Sequence, residues 1–411
     1  MFQKVYLENG IPVVFEENNS FRSAVLGIWV KTGSRHETEE KSGISHFIEH
    51  LLFKGTGTRS AEDIAVEADA MGSDLNAFTS RENTTFYIKV LDEFFEKGSG
   101  LLCDIFANSI FDPNEIEKEK RVVDEEIRLS EDTPDDHVFD LFNSCIWGDN
   151  GLSRPILGSA KTVGGITRGN ILEYLEKSYN SNNIVIAIAG NIDTESCVRL
   201  LNAGLSGVST FKNGIKPEKP FFNSAVKVHQ KDLSEVHICM GFESIPNNSP
   251  ERYALHILNT LFGSGVSSRL FQEIREKRGL VYSIYSFLSS YQDTGCMGIY
   301  AGASVQNYQK VIDLIMKESC SLKDTISERE LQRTKKQLKG NMLLALESTT
   351  ARMNNIAKQE IYYGRNFTPE EVITEIEQVG LEDVRALLDR IFRRDKVAVT
   401  LLGPAADEFS L

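Results

Sequence analysis

No apolar run in the chain approaches the roughly 18 residues that cross a bilayer, so no membrane span is expected. The opening stretch, MFQKVYLENGIPVVFEENN, lacks the charged segment and apolar core of a secretory leader. It reads instead as a hairpin turning at Asn9–Gly10, and the expectation is a cytoplasmic chain. Cysteine is sparse: Cys103, Cys145, Cys197, Cys239, Cys296 and Cys320 are scattered with no C-x-x-C. They read as single buried thiols in a reducing compartment, neither zinc ligands nor a disulfide frame. Basic residues are outnumbered, 45 Lys and Arg against 59 Asp and Glu, for a net charge of −14. That balance argues against a nucleic-acid partner, which needs basic patches. An acidic surface or chamber attracts basic peptides, although solubility alone also accounts for the charge.

What is present is ordinary for a globular protein, with 41% hydrophobic and 25% charged residues. A chain of 411 residues is long for one core and suggests two to three domains.

Histidine is scarce as well, at seven residues, yet two of them fall in GISHFIEHLLFKGT, residues 43 to 56. Apolar Ile44, Phe47, Ile48, Leu51 and Leu52, with no proline and no interior glycine, predict a buried helix. His46 and His50 are then one turn apart on the same face, with Glu49 beside them. Two imidazoles at i and i+4 can hold one zinc, and an adjacent carboxylate can take a proton from metal-bound water. H-x-x-E-H is the inverzincin signature. By chance the pattern should arise in roughly one such chain in a hundred. A structural zinc is the other alternative, but such sites usually take four protein ligands, often cysteines. The catalytic reading still needs a third protein ligand, with the fourth position open for water.

The chain repeats itself. ILEYLEKSYNSNNIVIAIAG (171–190) and VRALLDRIFRRDKVAVTLLG (384–403) are each an amphipathic helix, a polar turn, a β-branched strand and a glycine. At an offset of 213, Ile171 matches Val384, Leu175 Leu388, Tyr179 Phe392, and Gly190 Gly403. SAVLGIWVKTGS (23–34) corresponds to SEVHICMGFES (234–244), and the helices 43–54 and 60–71 correspond to 250–262 and 267–278. LNAFTSRENTTFYIKV and VYSIYSFLSSYQDTGCMGIYAGA predict antiparallel hairpins, because their joins are too short for parallel crossovers. The expected fold is α+β: two homologous domains, each a mostly antiparallel sheet with helices packed on it. Expected boundaries are 1–212, a linker at 213–223 rich in lysine, proline and glycine, and 224–411, with each half having its own sheet and core. Aligning the repeats sets His46, Glu49 and His50 against His256, Asn259 and Thr260, so the fold does not itself require the motif.

For a third ligand, the helix-like run DPNEIEKEKRVVDEEIRLSEDTPDD (112–136) is rich in carboxylates, most of them expected on a solvated face. Ile116, Val122, Val123 and Ile127 mark a buried stripe, and Glu119 and Glu126 lie near it. From the residues alone, Glu115, Glu119, Glu125 or Glu126 can serve. In the second half Thr334 and Asn341 replace Glu119 and Glu126.

GISHFIEHLLFKGT, NAFTSRENTTFY, KEKRVVDEEIRLSEDTPDD and SSRLFQEIREKRGLVYSIYS together resemble the pitrilysin family of zinc peptidases, across essentially the whole chain. The likeness is greatest to the β subunit of mitochondrial processing peptidase and its bacterial homologues. The resemblance implies one zinc per chain, held by His46, His50 and a glutamate about 76 positions further on, Glu126. It implies Glu49 as the residue activating water and Glu119 as an accessory residue fixing a histidine tautomer. It implies that peptide adds as a strand along Asn76, Ala77 and Phe78, which would otherwise read as a core strand. It also implies that Arg275 and Tyr282 meet the substrate, Tyr282 facing the developing oxyanion. By residue type alone Arg275 reads as a surface charge and Tyr282 as a core aromatic.

The long glycine-rich loop of the mitochondrial α subunit is reduced here to FGSGVSS (262–268), and the metal motif that subunit lacks is kept. This suggests a self-sufficient subunit, paired with itself or with a related chain, two chains enclosing a chamber. The resulting expectation is a metalloendopeptidase acting on peptides or unfolded, presequence-like segments. The alternatives are a non-catalytic core subunit of a larger complex and a zinc-binding peptide carrier.

Overall fold

SAVLGIWV and IVIAIAG are buried along nearly their whole length, as β-branched runs covered on both faces must be. The computed structural model describes residues 2–210 and 217–405. In a first unit those runs form β3 (Ser23–Val30) and β6 (Ile184–Gly190). With them lie β1 (Phe2–Tyr6), β2 (Pro12–Glu17), β4 (Asp74–Thr79) and β5 (Thr84–Leu91). The sheet order is β1-β2-β6-β3-β5-β4, antiparallel throughout except between β2 and β6. β1 and β2 form the hairpin expected around Asn9–Gly10. The hairpin expected from LNAFTSRENTTFYIKV is β4 with β5, and β4 is an edge strand.

The second unit holds β7 (Val226–His229), β8 (Glu235–Ser244), β9 (Val281–Ser290), β10 (Gly295–Ser304) and β11 (Val397–Leu402). Its order is β7-β11-β8-β10-β9, with only β7 and β11 parallel. Read against the first sheet, β7 stands for β2, β11 for β6, β8 for β3, β10 for β5 and β9 for β4. The sequence repeat is therefore a repeat of topology. Gly190 and Gly403 show why the repeat keeps a glycine. Both have positive φ, 130° and 134°, at the end of β6 and just beyond β11. A Cβ would lie 2.2 Å from the Ser23 carbonyl oxygen in one and 2.6 Å from that of Glu235 in the other.

Each sheet is covered on both faces. In the first unit, Val13, Phe15, Leu26, Ile28 and Phe86 pack with the helices Ile44–Leu52, Phe95–Asn108 and Arg168–Ser178. The opposite face, with Val14, Val25, Trp29, Val185 and Ala187, meets Met353, Ile356 and Ala357 of the helix Thr349–Tyr363. Trp29 Nε1 also donates to Met353 Sδ at 3.2 Å. In the second unit, Ile238, Met240 and Phe242 pack with the helices Arg252–Phe262 and Leu381–Ile391. The reverse face, with Cys239, Cys296 and Tyr300, meets Val138, Phe142, Ile146 and Trp147 of the helix Pro134–Trp147.

The units thus depart from a division into consecutive halves. The first comprises Met1–Leu129, Arg154–Glu218 and Ala345–Asn366; the second comprises Ser130–Ser153, Lys219–Leu344 and Phe367–Leu411. Each half of the chain supplies one helix to the other's sheet, so neither half carries a complete core. The expected linker at 213–223 lies partly outside the described residues. The run 112–136 is also two helices, Pro113–Asp132 and Pro134–Trp147, because Pro134 opens the second at its first turn. Within the expected stripe Ile116, Val123 and Ile127 are buried, but Val122 is exposed. Of the cysteines five are buried as expected and Cys320 is exposed; none is in a disulfide. Among the described residues no helix is long and apolar enough to cross a membrane.

Candidate metal centre

The helix Ile44–Leu52 buries Ile44, Phe47, Ile48, Leu51 and Leu52 in the core of the first unit, which fixes its rotation about its own axis. It begins at Gly43, whose φ of 93° and 2.6 Å approach of a would-be Cβ to the Leu157 carbonyl oxygen admit only glycine. Glycine has no side chain to cap the first turn, and Glu37 does so from a distance. Its two carboxylate oxygens accept from Gly43 N at 2.7 Å and Ser45 N at 2.8 Å, where a negative charge is favoured.

That rotation brings Nε2 of His46 and Nε2 of His50 within 3.2 Å of each other. Glu126, on the helix Pro113–Asp132, places Oε2 3.7 Å from the first and 3.6 Å from the second. Three donors about 2.0–2.2 Å from a tetrahedral zinc lie about 3.3–3.6 Å apart, so the triangle fits such an ion. The electrostatics fit too. Burial and the charge of His50 lower the His46 pKa to about 4, leaving a neutral ring. Burial disfavours a charged His50, but the Glu119 hydrogen bond and the charges of Glu126, Glu119 and Glu49 outweigh it and raise its pKa. The surroundings therefore favour positive charge at His50 and disfavour it at His46. Among the described residues, these three form the only group of three or more His, Cys, Asp or Glu able to hold a metal ion.

Around the triangle His50, Glu119 and Glu49 have hydrogen-bond partners, whereas His46 Nδ1 is buried without one. Glu119, only 4% exposed, accepts from His50 Nδ1 at 2.9 Å and from Lys54 Nζ at 2.8 Å. Burial opposes its ionisation, but these two bonds prevail and lower its pKa. Thr79 Oγ1 donates to Glu49 Oε2 at 2.5 Å. Burial raises the Glu49 pKa, with Thr79 and His50 pulling it down and Glu126 pushing it up. Of the four glutamates left open by sequence, only Glu126 faces the Nε2 atoms of both histidines, while Glu119 meets His50 at Nδ1. Glu115 pairs with Lys118 and Glu125 with Arg128, each within its own helix. Lys54, Thr79 and Glu37 were not singled out by sequence reasoning. Lys54 alone carried a local signal, four residues after His50 in the turn that follows the helix.

Asn76, Ala77 and Phe78 lie on β4, at the edge of the first sheet, where Ala77 and Phe78 also pack against the core. Arg275 and Tyr282 are in the second unit. The Arg275 guanidinium stands 4.7 Å from the Phe271 ring centre and 5.4 Å from that of Tyr282. Tyr282 is 84% exposed, so it is not the core aromatic its residue type suggests.

Comparison with known proteins places this arrangement. The model for Insulinase (Peptidase family M16) matches residues 12–160, and the model for Peptidase M16 inactive domain matches residues 165–338. The chain belongs to peptidase family M16, the pitrilysin family. It is 39% identical over 408 residues to a Bacillus subtilis protein named uncharacterized zinc protease YmxG, with 99% of each chain covered. The crystal structure of a peptidase M16 inactive domain from Pseudomonas fluorescens superposes with a TM-score of 0.92 at 18% identity, covering 100% of both chains. A chain of complex III2 from Candida albicans superposes at 0.84 and 23% identity, covering 98% of this chain and 95% of that one. These last two likenesses are of fold alone.

Proposed function

We propose that this chain is a zinc-dependent endopeptidase acting on extended or unfolded peptides. The observation that carries the reading is the spacing of His46, His50 and Glu126, with Glu49 beside the histidines on the same helix. Bound at those three residues, zinc supplies a Lewis acid and a water of lowered pKa. Glu49 takes up the proton of the attacking water at its carboxylate and passes it to the leaving amine. Burial, which raises the pKa of Glu49, suits it to hold that proton. Glu119 keeps the proton of His50 on Nδ1 and its Nε2 lone pair free. Peptide pairs with the open edge of β4 along Asn76, Ala77 and Phe78, and Arg275 and Tyr282 are further substrate-binding residues. The acidic charge of the chain favours basic segments, and self-pairing into a homodimer completes the reading.

The likeness to a complex III2 chain supports a second reading, a non-catalytic subunit of an assembly. The presence of Glu49, which a purely structural metal would not require, favours the first. Zinc content and cleavage of a quenched peptide, measured on one sample, decide between them. The enzyme reading expects one equivalent of zinc and turnover abolished by Glu49→Gln with zinc retained. Zinc without turnover would overturn the enzyme reading.

A further inference from the structure

Glu49 is a flexible side chain on a helix, and a carboxylate serves as a base only where it is held. Among the described residues one side chain donates a hydrogen bond to it, Thr79, at 2.5 Å. This distance is typical of a hydroxyl bonded to a charged oxygen. Thr79 ends β4, and its side chain shares a strand face with Leu75 and Ala77, which pack on the core. It is thus the one hydroxyl in an otherwise apolar row, aimed at the helix that carries the histidines.

Its own position is held from behind. Thr79 pairs with Thr84 across the hairpin, and Ser80 N donates to Asn83 O at 2.7 Å to close the turn. Glu82 in that turn forms a buried ion pair with Arg35 at 2.6 Å and accepts from Tyr362 Oη at 3.2 Å. The turn is anchored to two other elements of the first unit, and the hydroxyl is placed before any peptide arrives.

We infer that Thr79 is a positioning residue, fixing the carboxylate of Glu49 and tying its orientation to the strand edge where a peptide pairs. The inference rests on the reading of Glu49 as the base. A peptide strand registered on β4 is thereby registered against Glu49 as well, since one strand carries both the pairing edge and the hydroxyl. A structural role for Thr79 as a β-branched edge residue would depend on its methyl group and shape; the positioning role depends on its hydroxyl.

The test compares Thr79→Val, which keeps the shape, with Thr79→Ser, which keeps the hydroxyl, in the full zinc-loaded chain beside wild type and Glu49→Gln. For Thr79→Val, kcat on a quenched peptide should fall roughly tenfold to a hundredfold with KM nearly unchanged and zinc near one equivalent. Thr79→Ser should return kcat to within a few-fold of wild type. Crystal structures of the metal-free variants give a readout independent of activity: Glu49 should lose its single position in Thr79→Val and keep it in Thr79→Ser. If Thr79→Val does not fold, Thr79→Ala against Thr79→Ser isolates the hydroxyl. Equal kcat in the Val and Ser variants, or an ordered Glu49 in both, overturns the inference while leaving Glu49 as the base. Turnover surviving in Glu49→Gln overturns both.

Discussion

Nδ1 of His50 lies 2.9 Å from Oε1 of Glu119, whose second oxygen holds the Lys54 ammonium at 2.8 Å. A carboxylate bonded to one ring nitrogen fixes the proton there and makes the other nitrogen a better metal donor. Glu119→Gln should therefore weaken zinc affinity about tenfold to a hundredfold while leaving the three donors in place. Competition with a chromogenic chelator measures it. Affinity equal to wild type would confine Glu119 to an ion pair with Lys54.

Glu125 and Glu126 are neighbours in one helix but point about 100° apart. Glu126 Oε2 is 3.6 Å from His50 Nε2, whereas Glu125 pairs with Arg128 at 2.9 Å. Glu126→Gln should lose most of the bound zinc on dialysis, and Glu125→Gln should retain about one equivalent, as metal analysis would show. Loss of zinc in the Glu125 variant would mean that the helix is rotated by one residue.

Glu37, which caps the helix bearing the histidines, has a pKa pushed up to about 7 by burial, from 4.5, despite the Ser45 and Gly43 bonds and the nearby Arg154 charge. A carboxyl whose pKa rises on folding binds its proton more tightly in the folded chain. Its contribution to stability is full below pH 4.5 and is lost as pH rises through about 7. The loss over that window is about 3 kcal/mol. Glu37→Gln cannot ionise, so the stability of wild type relative to this variant should fall by that amount between pH 4.5 and pH 7.5. Urea unfolding at both pH values reads the difference, and effects of zinc release common to both proteins cancel. A constant difference would show that Glu37 stays charged in this window.

The helix that carries the site was legible because its apolar spacing, its histidines and its glutamate all lie within fourteen consecutive residues, 43 to 56. The repeat was legible because strands and glycines recur in order. Glu126 could not be told from Glu115, Glu119 or Glu125 by residues alone, since which carboxylate faces the histidines depends on how two helices pack. Thr79 and Glu37 act on partners set by tertiary contact, and nothing in their immediate surroundings marks them. Tyr282 misled by type, because an aromatic is ordinarily buried and this one is exposed. The helix exchange was hidden for a similar reason: amphipathic periodicity reveals an apolar face but not the sheet it covers.

That exchange carries the last prediction. A fragment of residues 1–212 contains all of the first sheet and His46, Glu49, His50 and Glu126, and by sequence it should fold alone. It lacks the helix Thr349–Tyr363, and without it Val14, Val25, Trp29, Val185 and Ala187 face water. Burying a side chain such as Met353 or Ile356 contributes about 1.5–3 kcal/mol, and the sheet residues beneath add comparable amounts. The total rivals the 5–15 kcal/mol that holds a typical domain together. The fragment should therefore aggregate or unfold without a cooperative transition. Joining residues 345–366 to its end through a flexible linker should restore cooperative thermal unfolding and zinc binding. Circular dichroism melts and metal analysis on both fragments test this. Cooperative unfolding of 1–212 at the same temperature as the extended fragment would show that the helix is dispensable and that the first sheet needs only one covered face.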